Sequence, residues 1–191
     1  SPMEDGSGIG KLNGWDGLYG LEYRSAQRGL LTGATVEYID FTNQSGPIHW
    51  APGDFPGTHI TDQATGADDY YNNYFYNGYA NRGMAIGTPM VKSPINYRDG
   101  ILRFRDNRVR GFHVAITGYL MPRLTYLVKA TYRKSWGTPY VPSLEIREST
   151  SAMVEAEYHM AKLPGMSVKM HVALDRGSLF GDNVGGLVSV M

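Results

Sequence analysis

Four stretches in the second half of this 191-residue chain alternate apolar and polar residues, and that pattern restricts the fold more than any other feature. They are 112–120, 124–133, 154–161 and 168–175. Successive side chains of a strand point to opposite faces, so even and odd positions sort onto two sides. One side takes Phe112, Val114, Ile116, Gly118 and Leu120, then Leu124, Tyr126, Val128, Ala130 and Tyr132. It continues with Val154, Ala156, Tyr158 and Met160, then Val168, Met170, Val172 and Leu174, and none of these 18 positions is acidic, basic or His. The other side has 17 positions, nine of which are of those types: His113, Lys129, Arg133, Glu155, Glu157, His159, Lys169, His171 and Asp175. A helix would spread both classes around its circumference; strands with two different environments keep them apart.

Two architectures produce such a split. A soluble sheet turns its apolar face inward, whereas a transmembrane barrel turns it toward lipid and lines a wet lumen with the polar face. The segments approach the ~9–11 residues of a tilted spanning strand. Tyr126 and Tyr132 stand toward the ends of the apolar face, where an interfacial girdle belongs. The connections favour the barrel too. Residues 121–123 and 164–166 read as three-residue hairpin loops and 134–153 as a long one, the short-and-long alternation of outer-membrane barrels. Gly (24), Pro (10) and repeated Asn punctuate the chain as they do in proteins of many short strands. The expected fold is therefore all-β: an antiparallel up-and-down transmembrane β-barrel, with residues 1–191 one domain of a larger barrel.

If 164–166 is the loop, Leu163 faces Ser167, His159 faces His171, and Glu155 faces Asp175, a like-charge pairing. In the first half, 18–24 and 35–41 read as strands. So does 101–106, followed by a turn at Asp106-Asn107, and 84–91 is the best candidate for one more strand, although Pro89 interrupts it.

Composition excludes several classes. Lys+Arg and Asp+Glu balance at 18 each, which argues against nucleic acid as a partner. Cysteine is absent, so neither a disulfide framework nor a thiolate metal site exists. No apolar run of ~18 residues is present for a helical span. The opening Ser1-Pro2-Met3-Glu4-Asp5 lacks the apolar core of a secretory signal, and both ends read as cuts through a longer protein. Gly6-Ser7-Gly8-Ile9-Gly10-Lys11 misses the glycine and hydroxyl positions of a phosphate loop, and there is no nucleophile elbow. No cofactor, metal or catalytic residue is expected.

The segment Gly66-Ala67-Asp68-Asp69-Tyr70-Tyr71-Asn72-Asn73-Tyr74-Phe75-Tyr76-Asn77-Gly78-Tyr79, followed by Ala85-Ile86-Gly87-Thr88-Pro89-Met90, resembles the Bacteroides-type branch of the Wzi family of capsule assembly proteins. Asp16-Gly17-Leu18-Tyr19-Gly20-Leu21-Glu22 and Gly181-Asp182-Asn183-Val184-Gly185-Gly186-Leu187 are similar to the same family, while Tyr79-Ala80-Asn81 departs from its Gly-Trp pair. The resemblance implies a barrel in the bacterial outer membrane that binds capsular polysaccharide at the cell surface, without catalysis, among outer-membrane lipid and lipopolysaccharide. The chain would be roughly the C-terminal half of that barrel. A porin or transport channel is the alternative, and a soluble β-rich glycan-binding or glycan-hydrolysing protein a second one.

Candidate sites follow from side-chain chemistry. Tyr70, Tyr71, Tyr74, Tyr76 and Tyr79 offer flat rings with polar tips, and Asp68, Asp69, Asn73 and Asn77 match sugar hydroxyls. Trp50 is a weaker candidate of the same kind. The competing reading packs these tyrosines against the barrel wall and leaves the asparagines to make turns. Arg103, Arg105, Arg108 and Arg110 cluster around Asp106-Asn107 and would suit acidic sugars or lipopolysaccharide phosphates, or form a solvated turn. Lys129, Glu155, Glu157, His159, Lys169, His171 and Asp175 would form a polar ladder in the lumen. His159 and His171 have no metal-ligand spacing.

Overall fold

A computed structural model describes residues 16–42, 44, 49–50, 64–65, 71–72, 79–97, 100–139, 141–163 and 165–191, with the backbone alone at 49–50 and 64–65. The described residues contain no α-helix. Seven strands form one sheet: β1 (Gly17–Arg24), β2 (Gly33–Asp40), β7 (Val109–Met121), β8 (Leu124–Gly137), β9 (Pro142–His159), β10 (Ser167–Arg176) and β11 (Asn183–Val190), paired in that order. The remaining strands are two-residue pieces. β3 (His49–Trp50) pairs with β4 (Ala64–Thr65), and β5 (Ala80–Asn81) with β6 (Met84–Ala85). The sheet is open, with β1 and β11 at its edges. Closure into a barrel is not seen among the described residues.

The alternating stretches all become strands, but their limits and register differ from the sequence reading. β8 runs on to Gly137 and β9 begins at Pro142, so the expected long loop 134–153 is mostly strand. Only 138–141 connects the two, closed by the Thr138 N–H on the Val141 carbonyl (3.0 Å). β9 ends at His159 and β10 starts at Ser167, so the expected three-residue loop is a seven-residue one, 160–166. Ser167 therefore pairs with His159, Lys169 with Glu157, His171 with Glu155 and Asp175 with Ser151. The expected pairing of Glu155 with Asp175 does not occur. Opposite charges across neighbouring strands attract and like charges repel, and the register adopted satisfies both.

In the first half, 17–24 and 33–40 are strands as expected, but 101–106 is not. Of 84–91 only Met84–Ala85 is strand, joined to β5 by a two-residue turn in which Arg82 (φ 51°) and Gly83 (φ 79°) are both left-handed. That is the hairpin turn whose twist matches paired strands.

Contacts divide the chain into two compact units. The first comprises Ser1–Gly17, Ile39–Arg110 and Ser135–Ile146. Its buried residues include Ile39, Tyr71, Met90, Val91, Phe104 and Val109, with Phe41, Ala80 and Ala85 packed against them. The second comprises Leu18–Tyr38, Gly111–Lys134 and Arg147–Met191, and is sheet almost throughout.

The second unit exposes its apolar face. Val154, Met170 and Val172 are 54, 53 and 50 % exposed, whereas the side chains of Glu155, Glu157 and Lys169 on the other face are 20, 19 and 27 % exposed. Aromatic rings bracket the aliphatic residues. Toward one end stand Tyr19, Tyr38 and Phe112, in contact at 6.4 and 4.8 Å between centroids, together with Tyr132. Toward the other stand Tyr23, Tyr126 and Tyr158. At that end the 25–32 connection lies against β7. A Cβ on Gly118 would overlap the Leu30 carbonyl oxygen, so only glycine admits the approach.

Candidate functional site

The polar face of the second unit is a chain of ion pairs and hydroxyl bonds. Lys169 Nζ lies 3.2 Å from Glu155 and 3.3 Å from Glu157. Glu157 also accepts the Ser167 hydroxyl (2.7 Å), and His171 Nδ1 lies 3.6 Å from Glu155. His159 lies 4.0 Å from Glu157 and is not opposite His171. Glu155, Glu157, Lys169 and His171 thus form one connected cluster on the β9–β10 hairpin. No group of three or more His, Asp or Glu among the described residues is placed to hold a metal ion. Lys129 shares the face by alternation, and no ion pair joins it to this cluster among the described residues.

Asp175 belongs to a second cluster, centred on Arg133. Arg133 is 5 % exposed, and its guanidinium donates to the Ser149 and Ser151 hydroxyls at 3.1 and 2.6 Å. Asp175 accepts the Ser151 hydroxyl and lies 4.0 Å from Arg133. The Phe180 ring caps the group, its centroid 3.8 Å from the Arg133 carbon. The 177–182 connection brings Phe180 there: Leu179 is buried and its N–H donates to the Glu148 carbonyl (3.1 Å). Sequence reasoning placed Arg133 on this face without giving it a role. Its serine partners lay in the stretch read as loop.

The first unit redistributes the candidate sugar and anion contacts. Tyr71 is 7 % exposed, packed among Phe41, Phe104 and Tyr79 at centroid distances of 6.2, 5.0 and 6.2 Å. Its ring is a core element, not a surface for a sugar. Asn72 holds the same neighbourhood together, its amide donating to the Phe104 carbonyl and accepting the Phe104 N–H, both at 2.9 Å. Burial pushes the Tyr71 phenol above its ordinary value, and a hydrogen bond with the Thr88 backbone partly offsets this. Tyr79 remains 43 % exposed. Asp68, Asp69, Tyr70, Asn73, Tyr74, Tyr76 and Asn77 lie outside the described residues, as does the Trp50 side chain.

The four arginines do not form one anion-binding knot. Arg110 donates to Asp40 (2.8 Å) and to the Thr42 hydroxyl (3.2 Å), and Arg108 to the Thr42 carbonyl (3.0 Å). Arg105 lies over the Tyr97 ring at 5.4 Å, leaving Arg103 exposed. Asp106 and Asn107 are fully buried, not an exposed turn. Asp106 accepts the Tyr97 hydroxyl (2.7 Å) and the Ser135 hydroxyl (3.2 Å), and the Gln44 amide donates to the Asn107 carbonyl (2.9 Å). These partners come from distant parts of the chain, which is why sequence proximity grouped the arginines and the fold separates them.

No known protein family, no curated protein and no solved structure matches the chain.

Proposed function

We infer that this chain is a section of an outer-membrane β-barrel, its aliphatic face against lipid and its polar face in the lumen. The protein holds capsular polysaccharide at the cell surface and does no chemistry on it. What supports the membrane placement is the inversion of exposure in the second unit, where valines stand in the open and carboxylates are half covered. The two aromatic rows bracketing the aliphatic band support it further.

Strand parity supports a larger barrel. Successive strands of the seven-stranded sheet run antiparallel, so β1 and β11 point the same way. Antiparallel closure then requires an odd number of further strands, in keeping with the even totals of bacterial outer-membrane barrels. One edge also lacks the usual protection: β11 reads Asn-Val-Gly-Gly-Leu-Val-Ser-Val, without a charged residue or Pro.

The polysaccharide reading rests on the resemblance of 66–79 and 85–90 to Wzi proteins. The intact chain extracted in detergent should migrate faster unheated than heated on a gel and retain capsular polysaccharide. Replacing Tyr70, Tyr74 and Tyr76 by Ala should abolish retention while preserving that migration; unaltered retention overturns the capsule role. A passive channel is the second reading, favoured by the charged cluster of Lys169, Glu155, Glu157 and His171. Steady conductance in planar bilayers with no polysaccharide retention would establish it instead.

A further inference from the structure

The second unit contains a cavity of about 560 Å3 on the polar side of β1, β2 and β7. That lies within the ~300–1,000 Å3 range of small-ligand pockets. It is lined by Thr117, Tyr119 and Leu127, by Glu22, Arg24 and Thr35, and by Gln27 and Arg28 of the 25–32 connection. That connection is tied down by hydrogen bonds. The Ser25 N–H donates to the Thr32 carbonyl, the Thr32 N–H to the Thr117 carbonyl and the Tyr119 N–H to the Gly29 carbonyl, each at 2.8 Å. The Tyr126 hydroxyl donates to the Leu30 carbonyl at 2.7 Å.

The charges inside do not cancel. Arg24 is engaged by Glu22 at 2.6 Å, while Arg28 forms no ion pair among the described residues. Arg28 lies 5.3 Å from the centroid of the Tyr119 ring, a contact that leaves its charge unneutralised. A guanidinium beside a ring still has N–H donors to offer a planar carboxylate. The Gln27 amide and Thr35 hydroxyl stand on the same lining as donors and acceptors for hydroxyls. A ligand carrying one carboxylate on a ring of hydroxyls matches this lining; a neutral sugar leaves Arg28 without a counter-charge.

We propose that this cavity is a binding subsite for an acidic sugar, a hexuronate unit whose carboxylate is held by Arg28. The proposal deepens the polysaccharide reading and depends on it for biological meaning, but the subsite can be tested separately. The intact chain in detergent is titrated by calorimetry with glucuronic acid and with glucose. Glucuronic acid should bind at least ~10-fold more tightly, and Arg28→Gln should remove that preference while leaving the gel-migration shift intact. A second measurement guards against collapse of the loop in the variant. Phenylglyoxal modification of Arg28 in the unaltered chain, followed by mass spectrometry, should be suppressed by glucuronic acid and not by glucose. Equal affinity for the two sugars, or Arg28 modification indifferent to glucuronic acid, overturns the subsite. A chain that binds glucuronic acid but stays soluble without any amphiphile keeps the subsite and sinks the barrel; a membrane-inserted chain indifferent to it does the reverse.

Discussion

Val172 is the position at which the two possible solvents for the apolar face give the most different answers. It lies on β10 between Val154 of β9 and Gly186 of β11, and is half exposed. Arg176, on the same side of the strand, is four residues away, ~13 Å along the backbone. A tilt of ~35–45° reduces that to ~10 Å of depth, near the middle of an apolar band ~25 Å tall. Lys at mid-bilayer on a barrel's lipid face costs ~2–4 kcal/mol, whereas an exposed substitution in water stays within ~0.5 kcal/mol. Val172→Lys should therefore lower the folding free energy of the intact chain in phospholipid vesicles by ~2–3 kcal/mol, roughly 30- to 150-fold in the folded-to-unfolded ratio. Ala173→Lys is the control. It points to the polar face between Met153 and Gly185 and should change little. The assay is a urea titration read by the fraction migrating as the fast, unheated gel band, with an unchanged slope as the check on two-state behaviour. If the two lysine variants agree within ~0.5 kcal/mol, the apolar face does not meet lipid.

Other consequences follow from the clusters on the polar face and in the first unit. Arg133→Ala should cost ~2–3 kcal/mol in the same titration, below the ~3–5 kcal/mol of a fully buried pair, because Asp175 stays partly hydrated and keeps Ser151; Arg133→Lys, retaining the charge but not the fork, should recover about half. Asp106→Ala removes the acceptor of two hydroxyls at a fully buried site and should destabilise the first unit by ~2–3 kcal/mol, seen as faster hydrogen exchange across 101–108. The raised Tyr71 pKa means that the folded first unit holds the phenolic proton more tightly than the unfolded chain does. That contribution is complete below the ordinary tyrosine value of ~10 and is lost as pH rises through the folded value. Tyr71→Phe should flatten this alkaline loss in a denaturation series, and an unchanged pH profile would remove Tyr71 as its source.

What the sequence disclosed depended on whether two different environments faced the same strand. β7, β8 and β10 alternate because one side is aliphatic and the other polar. Within β9, Glu148, Ser149, Thr150 and Ser151 are polar on both sides, so period-two sorting has no contrast there, and the short alternation of Leu144, Glu145, Ile146 and Arg147 before them is cut off from the Val154 stretch. The difference in register has a related cause. The observed pairing of Lys169 with Glu157 differs from the expected one by an even number of residues, and an even shift leaves every side chain on its original face. Face sorting is blind to it; charge matching is not. The like-charge pairing of Glu155 with Asp175 was the available warning. At Tyr71 and Asn72 the chemistry itself was ambiguous, since an amphipathic ring and an amide suit a packed loop as well as a sugar. The capture of Arg110 by Asp40 joins residues 70 positions apart, and nothing local announces such a pairing.

The distribution of rings and charges along the apolar face bears on the choice between lipid and a covering protein layer. Large rings in a sheet buried by protein have no reason to avoid its centre. Here the centre is Val36, Val114, Ile116, Val128, Val154 and Val172, with Tyr19, Tyr38, Phe112 and Tyr132 toward one end and Tyr23, Tyr126 and Tyr158 toward the other. Just past the first row, on the same alternation, come Arg110, Lys134, Glu148 and Arg176. Each has a partner: Arg110 meets Asp40 at 2.8 Å, Lys134 meets Glu148 at 3.5 Å, and Arg176 meets Asp182 at 3.6 Å. The Tyr132 hydroxyl donates to Glu148 at 2.8 Å, so ring and charge meet at the boundary itself. Aliphatic centre, aromatic margin, then paired charge is the order in which a bilayer's hydrocarbon gives way to headgroups and water. A protein lid would have to imitate that gradient on β7 and β8 and its charged margin on β9 and β10 as well.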